Sequence, residues 1–416
     1  MIDKLRHKTY NFLRWTEKWT KTDMVYLSKG GFWLMAGKVF ASFSSFILAI
    51  AFANLIPRST YGDYKFVLSI LAIFSLATLE GMNTSLTQAI ARGYEGSITT
   101  ALKTRIKWGL WGGLGCLALS LYYYLNGNNS LSISFLISSF FIPFMDSFLV
   151  YGSVLSGKKL FKEQTKYKII IQLGATLSLI IALFFLKQAF FIVLVYLLVY
   201  SLLRLLILKA TLKKHKLNKN IDPKTLSFGK NLSAMNIIST IANNIDKILI
   251  FHFLGSVQVA IYSFSLVIPN NIKNYIKSIN VLALPKISSN NNKNFKSAFL
   301  IKIWKLTALL VPVVFLYIIL APLFFKLFFP QYMDAVFFSQ IYAFSILLTP
   351  TNIIKTYLEA KAKQKELYFV NFLSPTVSIA CLFVFVPLLG IVGAIISVIV
   401  NRLITSVYLL FILKNK

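Results

Sequence analysis

The sequence predicts an all-α polytopic membrane protein with about twelve transmembrane helices. Of its 416 residues, 57% are hydrophobic and only 14% are charged, and the mean hydropathy is +0.69. An ordinary soluble domain is roughly 45–50% apolar and about 25% charged. The charged residues are too few to cover a water-soluble particle of this size, and the apolar residues fall into runs of about 20, the length that a helix needs to cross a bilayer. A soluble enzyme is therefore excluded.

Twelve apolar runs carry this prediction. They lack the strict alternation of barrel strands, and a helix satisfies its own backbone hydrogen bonds in lipid. The charged segment before the first run, 1–30, has aromatic residues among its lysines and is predicted to lie on the cytoplasmic membrane surface as an amphipathic helix. In chain order the runs cover 31–54, 64–88, 108–125, 131–155, 169–186, 189–208, 232–254, 259–285, 303–325, 335–357, 368–389 and 391–412.

The basic residues predict the orientation of these helices. The chain has 44 Lys and Arg against 13 Asp and Glu, a balance that in a soluble protein would indicate nucleic acid. Here the charges lie in short clusters between the runs, with 32 Lys and Arg on one side and 4 on the other. Because basic loops stay in the cytoplasm, both termini are predicted to be cytoplasmic. No nucleic-acid partner is expected.

The longest basic loop divides the runs into six and six. Residues 209–231 are predicted to be a cytoplasmic linker between an N-lobe, 31–208, and a C-lobe, 232–416. A repeat with an even number of helices in each half is parallel in the membrane, and transporters of this kind bind their substrates between the lobes. The sequence therefore predicts a site at the centre of the molecule.

The eighth run carries a continuous polar stripe. A charge at the bilayer centre costs about 2.5–3.5 kcal/mol, so a helix that keeps two lysines within about one turn is expected to face a wet cleft. The alternative role of such stripes, hydrogen bonding between packed helices, would not need two like charges so close. At positions i, i+3, i+4 and i+7 the stripe contains Asn270, Lys273, Asn274 and Lys277.

Other runs add polar and ionisable residues at comparable depth. The basic side chains outnumber the acidic ones, so the predicted cleft is cationic and its expected ligand is an anionic group. The basic residues are Lys38, Lys247, Lys273, Lys277 and Arg402, and the acidic ones are Glu80, Asp146 and Asp246. The neutral polar residues on these faces are Ser42, Asn236, Thr240, Asn243, Asn270 and Asn274.

We expect no metal site and no cofactor. The three histidines, His7, His215 and His252, have no Cys, His or carboxylate at ligand spacing. The two cysteines, Cys116 and Cys381, lie inside apolar runs and are interpreted as small buried hydrophobic residues.

Several short strings occur in an order that is typical of one transporter family. They are Leu55-Ile56-Pro57 before Tyr61-Gly62-Asp63-Tyr64, Val154-Leu155-Ser156-Gly157, Asn244-Ile245-Asp246-Lys247 and Ala283-Leu284-Pro285-Lys286-Ile287-Ser288. The chain resembles, over nearly its whole length, the oligosaccharide-lipid flippases of polysaccharide biosynthesis (Wzx type) in the multidrug/oligosaccharidyl-lipid/polysaccharide exporter (MOP) superfamily. The resemblance implies a MATE/MOP-like parallel repeat, with two six-helix lobes around a central cationic cleft.

The resemblance also implies a function. Such proteins move an undecaprenyl-diphosphate-linked oligosaccharide, an O-antigen or capsule repeat unit, to the periplasmic leaflet of a bacterial inner membrane by alternating access. The diphosphate would be held by the five basic residues named above and the sugar by the six neutral polar ones. Asp246, Glu80 or Asp146 would bind a coupling H⁺ or Na⁺, although Asp246 could instead only neutralise Lys247. A polysaccharide polymerase or chain-length protein is an expected partner.

Three alternatives remain at this point. A MATE-like exporter of small cations would bind its cargo with acidic rather than basic residues in the cleft walls. A membrane polymerase or ligase of the same glycolipids would carry a large periplasmic loop, whereas the predicted outer loops are short, the longest being 55–63. A purely structural membrane protein would not need deep lysines. Twelve helices instead of fourteen argue against peptidoglycan precursor as cargo.

Overall fold

The structure is a computed structural model that describes residues 24–288, 295–361 and 363–415. Helices are the only regular elements in these residues. The longer ones are α1 (Met24–Leu55), α2 (Arg58–Phe74), α3 (Met82–Ala91), α4 (Ser97–Leu125), α5 (Asn129–Met145), α6 (Val150–Gly157), α7 (Phe161–Phe185), α8 (Ala189–Lys214), α9 (Lys224–Ala242), α10 (Ile245–Leu254), α11 (Ser256–Ser288), α12 (Phe295–Phe328), α13 (Ala335–Ala343), α14 (Asn352–Ala360) and α15 (Gln364–Asn415). The all-α multi-span prediction is confirmed.

Each of the twelve apolar runs overlaps helical structure. Within the described residues, eight helical segments are long and apolar enough to cross a bilayer, or nine when a bent pair counts as one span. That pair is Arg58–Thr78 with Met82–Ala91, and its parts meet at 45°. The segment Gln364–Lys414 counts once although it contains two predicted runs. The number of twelve spans therefore stays a prediction.

Two breaks shape the ends and bends of these helices. Gly390, with φ 60° and ψ −132°, interrupts α15 between the two predicted runs. A Cβ on Gly393 would lie 1.9 Å from the carbonyl oxygen of Phe385, so this turn needs a glycine. The second break lies inside the run predicted as 64–88, where Leu79 has φ 56°. This bend was not visible in the sequence, because hydrophobic periodicity does not report backbone dihedrals.

The two halves of the chain, 24–214 and 224–415, contact each other at two levels. The first level, which we call the outer contact, joins the start of α2 to α10 and α11. There Tyr61 lies 4.7 Å from Phe264 between ring centroids, and Phe66 stacks on Phe251 at 3.8 Å. A Cβ on Gly62 would lie 1.8 Å from the carbonyl oxygen of Ser256. The positive-inside rule predicts that this level is periplasmic.

The second level, the inner contact, joins α3 to α9. The backbone N–H of Gly81 donates to Ser233 Oγ at 3.0 Å, and Ser85 Oγ donates to the carbonyl of Thr225 at 2.6 Å. A Cβ on Gly81 would lie 2.5 Å from the backbone nitrogen of Ser233. This level is predicted to be cytoplasmic, since it adjoins the basic linker. Both ends of the interface between the halves are thus in contact.

The predicted linker is partly helical and is docked on the N-terminal half. Helices α8 and α9 continue into it, so that only 215–223 is irregular. Asp222 pairs with Arg92 at 2.5 Å, and the backbone N–H of Asn218 donates to Glu95 at 2.8 Å. Glu95 also pairs with Lys158 at 2.5 Å. Burial alone would raise the pKa of Glu95, but the hydrogen bonds from Lys158 and Asn218 outweigh it and lower this pKa.

Candidate substrate-binding site

Asp246 is a buried carboxylate in the first turn of α10, with 8% of its surface exposed. Its Oδ2 accepts a hydrogen bond from the Tyr262 hydroxyl at 2.8 Å. Its Oδ1 accepts from the backbone N–H and the Nζ of Lys247, at 2.8 and 3.1 Å. The helix N-terminus adds a partial positive charge that favours the anion. A coupling cation at Asp246 would have to share the carboxylate with these three donors.

Lys273 is packed inside the C-terminal half, with 1% of its surface exposed. Its Nζ lies 3.5 Å from the centroid of the Tyr342 ring. A desolvated cation–π contact is worth about 2 kcal/mol or more. The Tyr342 hydroxyl in turn donates to Asn270 Oδ1 at 2.9 Å. In this conformation the Lys273 ammonium does not line an open cleft, and the Tyr342 ring must move before it can reach a phosphate there.

Arg402 completes this group from α15. Its Nη1 donates to the carbonyl oxygen of Ser345 at 3.3 Å, and the Ser345 hydroxyl donates to the carbonyl oxygen of Tyr342 at 2.5 Å. We call the group the C-half polar cluster, which consists of Asp246, Tyr262, Lys273, Tyr342 and Arg402. The consecutive helices α10 and α11 and the distant α15 therefore bring together three of the predicted ionisable residues.

A cavity of about 480 Å³ lies between α9, α14 and α15. Five of its lining residues are asparagines, and we call it the asparagine cavity. Amide side chains offer both donors and acceptors, which is the chemistry that sugar hydroxyls need. Lys355 and Glu359 of α14 also line it. Its asparagines are Asn236, Asn243, Asn352, Asn371 and Asn401.

Two of the residues predicted to bind sugar, Asn236 and Asn243, lie in this cavity. Asn270 is held by Tyr342 instead, while Thr240 is half-buried and Asn274 is exposed on their helices. Lys277 lies within α11, but its side chain is outside the described residues. The structure thus gathers part of the predicted sugar site in the C-terminal half alone.

The predicted site residues of the N-terminal half lie on α1 and at the bend before α3. Lys38 is exposed and Ser42 is half-buried on α1. At this level α1 packs closely on α7, since a Cβ on Gly37 would lie 2.9 Å from a methyl group of Thr165. Glu80 is exposed at the bend, next to the inner contact. Lys38 and Glu80 are thus exposed, and neither lines the asparagine cavity.

The third predicted acidic residue, Asp146, is paired. Arg204 donates to Asp146 Oδ1 at 2.8 Å and to the carbonyl of Met145 at 2.9 Å. Arg204 therefore pairs with a carboxylate 58 residues earlier in the chain. Arg105 is fully buried and donates to Asn83 Oδ1.

Some site residues were missed although the sequence carried a signal for them. Helical spacings of i, i+3 and i+7 relate Asn352 and Lys355 in the tenth run to Glu359, two residues after its end. The same spacings relate Asn371, Ser374 and Ser378 in the eleventh, and all six residues line the asparagine cavity. The rule that identified the stripe of the eighth run would have found them. Tyr262 and Tyr342 gave no such signal, because a tyrosine in an apolar run is usually a packing residue.

A family model described as "Polysaccharide biosynthesis protein" matches residues 27–291, which is more than half of the chain. This chain belongs to the polysaccharide biosynthesis protein family. No curated protein matches the sequence. The resemblance stated from the short strings is confirmed at the level of the family.

Solved structures show the same fold for this family member. "Lipid II flippase MurJ, inward closed conformation" has a TM-score of 0.71 at 15% identity, covering 92% of this chain and 87% of that one. An outward-facing MATE multidrug resistance transporter of the MOP superfamily has 0.63 at 16%, covering 94% of each. An inward-facing one has 0.68 at 13%, covering 90% and 94%. At such identities the likeness shows the fold alone.

Proposed function

We propose that this protein is a transporter, not an enzyme, that flips a polyprenyl-diphosphate-linked oligosaccharide across a bacterial inner membrane. The family places it in polysaccharide biosynthesis, and the fold is that of MOP transporters. The observation that carries the choice of cargo is the asparagine cavity, because five amide side chains around one space suit a sugar better than an apolar drug. The cargo is an O-antigen or capsule repeat unit.

The charge of the site supports the same cargo. The C-half polar cluster holds Lys273 and Arg402 against Asp246, and Lys247 lies beside them. A net positive group favours a diphosphate and disfavours the cationic drugs that a multidrug exporter would carry. In the proposed cycle Lys38, Lys247, Lys273, Lys277 and Arg402 hold the diphosphate, while the asparagines and hydroxyls hold the sugar.

Movement between the leaflets requires the two contacts between the halves to open in turn. We propose that loss of the inner contact admits the headgroup from the cytoplasm, and that loss of the outer contact releases it on the other side. Entry of H⁺ or Na⁺ at Asp246, Glu80 or Asp146 resets the protein. In each step the ligand shifts the protein toward the conformation that binds it more tightly.

Flipping in proteoliposomes tests this function. A polyprenyl-diphosphate oligosaccharide with a fluorescent sugar is placed in one leaflet, and its appearance in the other is measured by quenching. Asn236→Leu should reduce the rate at least about tenfold, since it removes hydrogen bonds and adds apolar surface to a polar cavity. Asn231→Leu is the matched control, because Asn231 is an exposed asparagine of the same helix that does not line the cavity.

The outcomes separate the rival functions. Wild-type flipping that is lost in Asn236→Leu and kept in Asn231→Leu supports the proposal. Export of a cationic dye with no movement of the glycolipid would assign the protein to multidrug transport instead. Lengthening of the glycan in the vesicles would make it a polymerase.

A further inference from the structure

A second cavity, of about 660 Å³, lies on the surface of the N-terminal half at the end that holds the linker. It forms where Trp33 of α1, residues 159–160, the first turns of α7 and the last residue of α8 meet. None of the residues proposed to bind the oligosaccharide or its diphosphate lines it. It is therefore separate from the transport site.

The lining of this cavity is amphipathic. Its wall is built from apolar and aromatic side chains, and its rim is built from lysines. The wall contains Trp33, Leu160, Phe161, Tyr167, Ile169 and Ile170, and the rim contains Lys159, Lys162, Lys166 and Lys214. The acidic residue of the lining, Glu163, is already paired with Lys214 at 2.8 Å. The cavity therefore offers an excess of positive charge above an apolar surface.

Two lysines are placed to act on one ligand. Lys162 and Lys166 lie one turn apart near the start of α7, and both are exposed. The Nζ of Lys162 is 5.5 Å from the centroid of the Trp33 ring, so the rim and the wall meet at this point. The first turn of a long helix adds its own partial positive charge. A phosphate between these lysines would leave an attached acyl chain against Trp33.

We propose that this cavity binds an anionic phospholipid of the cytoplasmic leaflet. The positive-inside rule predicts that the linker end faces the cytoplasm, where lysines near the surface attract anionic headgroups. The polyprenyl-diphosphate carrier shares this chemistry. The Glu163 carboxylate lies beside the rim and repels an anionic ligand. This repulsion is stronger for a diphosphate than for a singly charged phosphodiester.

The segment before α1 is a poor occupant of the cavity. Residues 1–23 contain six Lys and Arg and three Asp and Glu. A net basic segment is repelled by a rim of lysines, whereas an anionic lipid is attracted to it. The charge of the cavity therefore favours the lipid over this part of the chain.

Fluorescence quenching by brominated lipids tests the proposal on the full-length protein in mixed micelles. Brominated phosphatidylglycerol is compared with brominated phosphatidylcholine, and the part of the quenching that disappears in Trp33→Phe reports on this cavity. We expect the Trp33-dependent quenching to need a concentration of phosphatidylglycerol at least about tenfold lower than that of phosphatidylcholine. Lys162→Gln with Lys166→Gln should remove this preference. Lys103→Gln with Lys107→Gln, another exposed pair one turn apart, in the second and third turns of α4, should keep it.

Each other result overturns the proposal. Equal loss in both double variants would mean general attraction to a negative surface. Equal quenching by both lipids would mean that the wall alone binds. Absence of Trp33-dependent quenching in a protein with normal circular dichroism would mean that the cavity is closed or already covered. Much stronger displacement of brominated phosphatidylglycerol by polyprenyl diphosphate than by the same amount of unlabelled phosphatidylglycerol would assign the cavity to the carrier.

Discussion

Gly62 of α2 lies directly against the backbone of Ser256, where α11 begins. A Cβ at this position would be 1.8 Å from the Ser256 carbonyl oxygen and 2.5 Å from its carbonyl carbon. Neither atom belongs to a flexible side chain, so the overlap can be relieved only if the two halves move apart. A second glycine, Gly81, has the same relation to Ser233 at the other end of the interface. The two positions are matched probes of alternating access.

We predict that Gly62→Ala opens the outer contact and that Gly81→Ala opens the inner one. Overpacking of this kind costs typically about 1–3 kcal/mol, enough to shift the population of the closed contact about five- to 150-fold. Spin labels at Ser59 and Met333, both exposed, report the outer distance. Labels at Thr84 and Phe228 report the inner one. Each substitution should lengthen its own distance and leave the other closed.

The control for this experiment is Gly152→Ala. A Cβ there would meet the Gln164 side chain at 3.6 Å, an ordinary contact. Transport should survive this change and should be lost in Gly62→Ala and Gly81→Ala. If all three variants transport equally well with unchanged distances, closure of these contacts is not part of the cycle.

The topology gives a second prediction. With 32 Lys and Arg on one side of the predicted map and 4 on the other, a reporter fused at Lys216 should be active only when that reporter works in the cytoplasm. A fusion in the loop 126–130 should show the opposite behaviour. Periplasmic activity at Lys216 would invert the map.

Composition and periodicity predicted the helical class and the positions of the helices, because these depend on local hydrophobicity. They did not predict which charges pair. Arg204 meets Asp146 across 58 residues, and Lys273 meets Tyr342 across 69. Such contacts depend on the packing of distant helices, which no local pattern contains. The asparagine cavity was predictable in part. The helical spacing of its polar residues is present in the sequence, but the sequence does not show that these helices meet around one cavity.

A third prediction concerns the docked linker and pH. Because the pKa of Glu95 is lowered in the folded protein, its contacts contribute stability above the usual carboxyl pKa of about 4.5 and lose it as the pH falls through the lowered value. The contribution is at most about 1 kcal/mol, since the pair is partly exposed and screened by salt. A spin label on Lys219→Cys should gain mobility as the pH falls from 7 to well below 4.5.

Glu95→Gln should give the mobile linker already at pH 7, with a flatter pH profile. The label is placed in a Cys381→Ser background, because Cys381 is the less buried of the two native thiols. A pH response as large in Glu95→Gln as in the parent would show that another group holds the linker.

The fourth prediction concerns the coupling ion. Asp246→Asn cannot attract a proton or Na⁺ as an anion does, but it has nearly the same shape and keeps one oxygen that can accept from Lys247 or from Tyr262. If Asp246 or Glu80 couples transport to an ion gradient, its amide variant should flip the glycolipid at a rate that no longer depends on that gradient. Full gradient-driven flipping in both Asp246→Asn and Glu80→Gln would exclude both carboxylates. Asp246 would then serve only to neutralise Lys247.

The last prediction asks whether Lys273 acts by its charge. A lysine ammonium attracts phosphate as a point charge on a flexible stem, so an arginine should partly replace it and a glutamine should not. One such contact is worth about 1.5–3 kcal/mol, or at least about tenfold in substrate occupancy. Lys273→Gln with Lys277→Gln should abolish surface polysaccharide in a strain that lacks its own flippase, while Lys273→Arg should keep some.

The packing of Lys273 against Tyr342 sharpens this test. If the lysine only stabilises the C-terminal half, removal of the cation–π contact should reduce the amount of protein in the membrane, and Tyr342→Leu should do the same. If it binds diphosphate, Lys273→Gln should accumulate normally and fail to display polysaccharide, while Tyr342→Phe, which keeps an aromatic ring, should display it. Membrane level and display are therefore measured together. A double glutamine variant with normal level and normal display would end the assignment of these lysines to the diphosphate.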